Sequence, residues 1–184
     1  GKNFADDVAR KGIALVRDTE KVLPLDKEKT KRLLLWFAVQ ETDKVEETYR
    51  TLIDGFKARC AEVVIRTNGN CLDLLKLEDA GENFDAVFFV FDVHIALTQV
   101  CRPRGAQMEC LWTLANTTRH HPIAVGVNSP YLLMDSPTLP TLVNTHSGGE
   151  AIFKALPEVL FGEVPFTAQS PVRFPDLVGV DETL

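Results

Sequence analysis

The chain has 184 residues, of which 45% are apolar, 25% charged and 8% aromatic, with eleven glycines and ten prolines. That is the make-up of a single globular domain, and it excludes disordered and collagenous classes. The net charge is −6, and residues 120–184 carry only Lys154 and Arg173 against seven acids. No basic stripe for nucleic acid is present, and no apolar run approaches the roughly 18 residues of a membrane-spanning helix. The length also falls short of the about 250 residues of a (β/α)₈ barrel.

Cys60, Cys71, Cys101 and Cys110 never fall in a C-x-x-C spacing, so they are expected to be buried thiols rather than metal ligands. The chain opens inside a helical pattern with no signal segment, as a piece of a longer polypeptide would.

Ala5, Val8, Ala9, Gly12, Ile13 and Val16 recur at helical spacing, which predicts an amphipathic helix ending before Leu23-Pro24-Leu25. The unbroken apolar run from Leu33 to Val39 predicts a strand buried on both faces, the mark of a parallel sheet covered by helices. Val45, Tyr49, Leu52, Ile53 and Phe56 form a helical stripe, followed by strand runs at Val63–Ile65 and Ala86–Phe91. A second stripe, Met108, Leu111, Trp112 and Ala115, predicts a helix with Trp112 in the core. Strand runs at Ile123–Val127 and Thr141–Val143 come next. They precede a helix carrying Ile152, Ala155, Leu156 and Val159, which Pro157 should kink or shorten. From about residue 164 the chain loses its period and collects Pro165, Pro171 and Pro175, which predicts an extended tail with a last strand at Val172-Arg173-Phe174. Strands and helices alternating in this way predict one three-layer α/β/α sandwich over residues 1–184, with a mostly parallel sheet of five to six strands.

Open α/β sheets bind ligands beyond the carboxyl ends of their strands. The candidate residues are therefore Asp92 and His94 after one strand, Asn128, Ser129 and Tyr131 after the next, and His146 after the last. Asp92 and His94 suit an acid/base pair, and they equally suit a polar loop at a strand end. His120-His121 reads as a helix C-terminus. Ser147-Gly148-Gly149 reads as a helix N-cap; it lacks both G-x-G-x-x-G and the P-loop lysine. No G-x-S-x-G elbow is present. No residue is assigned as catalytic, and no metal or cofactor is called for.

Two stretches resemble the C-terminal domain of glycoside hydrolase family 3. The segment Asp7 to Asp18 with Leu23-Pro24-Leu25 resembles that domain's opening helix, turn and leucine-proline-leucine anchor. Val125-Gly126-Val127-Asn128-Ser129-Pro130-Tyr131 resembles its strand and proline-tyrosine turn, and Ala151 to Leu160 with Phe161-Gly162-Glu163 its last helix and close. Arg17-Asp18 stands where lysine-asparagine is usual, and Ala168-Gln169-Ser170-Pro171-Val172 replaces glycine-lysine-leucine-proline-valine.

The resemblance implies a domain that packs on an N-terminal (β/α)₈ barrel of the same parent chain and helps to shape a carbohydrate site. Family members carry the nucleophilic aspartate on that barrel. In the β-glucosidase branch the acid/base glutamate sits on a loop of the second domain. In the β-N-acetylhexosaminidase branch an aspartate–histidine pair on the barrel does this work. Phe91-Asp92-Val93-His94 lacks the glutamate pattern, which favours the second branch. The rival readings are a β-glucosidase-type second domain, a free-standing sugar- or protein-binding module, and a small α/β enzyme using Asp92 and His94.

Overall fold

A computed structural model describes residues 2–67, 73, 76, 82–93, 102–116 and 121–168. In chain order the elements are α1 (Lys2–Lys11), β1 (Ile13–Asp18), β2 (Arg32–Ala38), a 3₁₀ turn (Thr42–Lys44), α2 (Val45–Thr48) and α3 (Arg50–Lys57). Next come β3 (Glu62–Thr67), β4 (Ala86–Asp92), α4 (Ala106–Asn116), β5 (Ile123–Val127), α5 (Leu132–Asp135), β6 (Thr141–Thr145) and α6 (Glu150–Leu160). The sheet runs β1-β6-β5-β4-β2-β3, parallel throughout except for β1, which is antiparallel to β6. The expected mostly parallel α/β sheet is borne out.

Each central strand feeds two cores because its side chains alternate between faces. Leu33, Leu35, Phe37, Phe88 and Val90 join Leu52, Phe56 and Leu156 in one core, under α1, α2, α3 and α6. Leu34, Trp36, Phe89 and Phe91 join Cys110, Leu111, Leu114 and Leu132 in the other, under α4 and α5. The stripe from Val45 to Phe56 is buried as expected, and so are the Cys60 and Cys110 thiols. Cys71 and Cys101 lie outside the described residues, as does the expected strand at Val172-Arg173-Phe174.

Two expectations are corrected, and a third in part. The opening helix stops at Lys11, and Ile13 to Asp18 is an edge strand. Ile13 and Ala14 are wholly buried there, paired with Thr145 and Asn144. A Cβ at Gly12 would come within 3.1 Å of Ile152 and 3.2 Å of the Ala9 carbonyl, which leaves little room for a side chain at the junction. Arg17 and Asp18 also find partners that a helix would deny them. Arg17 donates to the carbonyls of Pro137 and Leu139, while Asp18 accepts from the Val22 and Leu23 N–H groups.

Trp112 is the second correction. It is 58% exposed, because α4 turns Cys110, Leu111 and Leu114 to the sheet instead. Thirdly, α6 is not shortened at Pro157 but continues to Leu160. Pro157 sits against Gly55 of α3, where a Cβ would come within 2.8 Å of its ring.

Asp135, at the end of α5, is a buried carboxylate beside Arg102, with Oδ1 3.1 Å from Nε. Its Oδ2 meets no donor among the described residues. Burial pushes the carboxyl above its ordinary range, and the Arg102 charge only partly opposes this. A folded-state pKa above the unfolded one means that the folded state holds the proton more tightly, so this group favours the fold as pH falls. Asp135→Asn is therefore expected to melt above the wild type at neutral pH. The gap should shrink on acidification through the carboxylate range, as melting curves recorded down that range will test.

Candidate functional site

The crossover from β2 to β3 runs one way along the sheet, and the return to β4 passes back to the other side of β2. The carboxyl ends of β2 and β4 thus form the switch point at which α/β sheets open a crevice. A small cavity of about 130 Å³ lies there, lined by Val39, Gln40, Glu41, Thr48, Tyr49 and Asp92.

Asp92 is buried at this point, and donors hold both of its carboxylate oxygens. Tyr49 Oη donates to Oδ2 at 2.5 Å, and Asn128 Nδ2 donates to Oδ1 at 2.7 Å. Burial, and after it the negative charge of Asp92, push the Tyr49 hydroxyl far above its ordinary pKa, so it remains a donor. Gln107 of α4 is also buried. Its Nε2 donates to the carbonyls of Ala38 and Asp92 at 2.8 and 3.1 Å, tying the ends of β2 and β4 together.

Asn128 follows β5 in the left-handed region, with φ +67°, a conformation that asparagine tolerates better than most residues. Its side chain bridges the end of β4 and the loop after β6. Nδ2 reaches Asp92, and Oδ1 accepts the Gly148 N–H at 2.9 Å. Hydrogen bonds thereby join the end of β4 and the loops after β5 and β6 into one edge. Gly149 caps α6 at φ +130° with no side-chain cap, so Ser147 is not the capping residue.

The sequence candidates divide. Asp92 and Asn128 meet directly. Ser129 is buried, its Oγ accepting the Tyr131 N–H at 3.4 Å, so it lies beneath the edge rather than on it. Tyr131, 41% exposed, and His146 stand at the surface. His94 and His120 lie outside the described residues. His121 meets Glu20, with Nδ1 2.7 Å from the carboxylate. Sequence reading missed Tyr49 and Gln107. Tyr49 was counted only as an apolar member of its stripe. Gln107 left one signal, a lone amide three and four residues before Cys110 and Leu111.

Beside this edge lies a second, larger concavity of about 730 Å³ between α1 and the start of α6. Phe4, Val8, Gly12, His146, Gly148 and Ile152 line it. The edge presents the exposed Tyr131 and His146, and it contains a buried carboxylate already engaged by two donors.

No family model matches the chain. It is similar to a curated β-N-acetylglucosaminidase/β-glucosidase of Cellulomonas fimi, 23% identical, with 91% of this chain and 31% of the relative covered. Among solved structures, a β-glucoside phosphorylase aligns with a TM-score of 0.73 at 21% identity, covering 97% of this chain and 33% of its own. A glycoside hydrolase family 3 β-N-acetylglucosaminidase of Paenibacillus aligns with a TM-score of 0.63 at 20% identity, covering 91% and 32%. The chain thus spans about a third of the length of these relatives. The resemblance to the α/β domain of glycoside hydrolase family 3 is borne out.

Proposed function

We propose that this chain is the second, α/β domain of a family 3 glycoside hydrolase of the β-N-acetylhexosaminidase-like branch. It packs on an N-terminal (β/α)₈ barrel of the same parent chain and lends its sheet edge to the wall of a carbohydrate site. The observation that carries this reading is the coverage: nearly all of this chain aligns, yet with only about a third of each relative. A unit that recurs as one third of larger enzymes works with the remainder.

The chemistry of the edge supports a lining role. Retaining glycoside hydrolysis needs two carboxyl groups about 5–5.5 Å apart, one as nucleophile and one as acid/base. Asp92 is buried and its oxygens accept from Tyr49 and Asn128, which suits a group that holds loops in place. The β-glucosidase-type reading stays as the second one, because the curated relative's name carries both activities.

The test is a pair of assays with aryl β-N-acetylglucosaminide and aryl β-glucoside substrates. The isolated chain is expected to turn over neither, and the parent polypeptide to prefer the first. Preference for the glucoside would move the domain to the second reading. Turnover by the isolated chain that disappears on Asp92→Asn would overturn both, in favour of a small enzyme built on Asp92 and His94.

A further inference from the structure

We propose that the groove between α1 and the start of α6 seats apolar side chains of the parent chain's barrel, with Phe4 and Val8 as the anchors. This inference rests on the two-domain reading above and assigns that reading's contact to particular residues.

The argument starts from α1 itself. A ten-residue helix is marginal on its own in water and needs packing to persist. Yet among its described side chains only Ala9 is fully buried. The helix is fastened to α6 by two ion pairs, Arg10–Glu158 at 2.9 Å and Lys154–Asp6 at 3.2 Å. Partly exposed pairs of this kind contribute little. Meanwhile Phe4 and Val8, one turn apart, are 75% and 53% exposed. The apolar stripe of α1 is therefore not consumed by its own domain.

The groove has the composition of a protein contact: apolar Phe4, Val8 and Ile152 line it together with polar Lys11, His146 and Glu150. Two observations select the barrel as occupant. About two thirds of each relative lies outside the match. The groove also adjoins His146 and Gly148, on the carboxyl edge assigned to that barrel. Tyr131 is not among the residues that line the groove.

The experiment is maleimide labelling of Val8→Cys, in the isolated chain and in the parent polypeptide, against the Val8 protein as background. Labelling is expected to be fast in the isolated chain and about tenfold or more slower in the parent, as protection by packing requires. Adding Phe4→Asp should restore fast labelling in the parent while leaving the melting temperature of the isolated chain unchanged. Equal labelling rates in the two proteins would overturn the assignment of the groove and leave the two-domain reading standing. A parent lacking an upstream barrel would overturn that reading itself. Protection in the isolated chain that grows with its concentration, with dimers in sedimentation, would make a second copy the occupant and overturn the proposal.

Discussion

Trp36→Ala is expected to destabilise the protein by about 3–5 kcal/mol, the range for deleting a core aromatic. Trp112→Ala is expected to change stability by only about 0.5 kcal/mol, as for other surface substitutions. Trp36 is 1% exposed on β2, and its ring stacks on Phe89 with centroids 5.5 Å apart. Removing it opens a hole beside the neighbouring strands β2 and β4, where neither strand can move without breaking the parallel ladder. Its Nε1–H meets no acceptor among the described residues, so Trp36→Phe keeps much of the packing and removes an unpaired donor. Trp36→Phe should therefore cost much less than Trp36→Ala. Denaturant unfolding of the three variants checks the order, and a larger loss at Trp112 than at Trp36 would refute the two-core packing.

Asp92→Ala is expected to cost about 3 kcal/mol, because hydrogen bonds to a buried charged group contribute roughly 1.5–3 kcal/mol each. The carboxylate receives both the Tyr49 hydroxyl and the Asn128 amide, and its removal leaves one buried and one half-buried donor unanswered. Tyr49→Phe removes one of these bonds and should cost about half as much. The two losses are expected not to add, since both variants delete the same contact. A double-mutant cycle measures this: Asp92→Ala should cost less in the Tyr49→Phe background than in the wild type. Strict additivity would mean that the pair is not coupled. The Asp92→Asn variant prepared for the activity assays serves as the gentler probe of the same site.

The site was half legible in advance. Asp92 and Asn128 could be named because they follow apolar strand runs, and strand ends are where α/β sheets place ligands. That they would touch was not legible. Their contact depends on β5 lying beside β4, and spacing along the chain does not encode strand neighbours. Tyr49 entered as a core residue because its ring is one, packed 4.8 Å from Phe37 and 5.2 Å from Phe153. Only the position of Asp92 across the sheet gives its hydroxyl a second task.

The sequence by itself determined the strands from Leu33, Ala86 and Ile123 and the buried stripe from Val45 to Phe56. A strand covered on both faces must be apolar at every position, and a half-buried helix must repeat every three to four residues. The tertiary structure alone decided two other segments. Ile13-Ala14-Leu15-Val16 satisfies both a helical spacing and a strand run, and the hydrogen-bonding edge of β6 selects the strand. In α4 the sets Met108, Leu111, Trp112 and Cys110, Leu111, Leu114 are both apolar at helical spacing. Such a helix carries no phase of its own, and the packing of Cys110, Leu111 and Leu114 into the core on that face of the sheet sets it, leaving Trp112 in solvent.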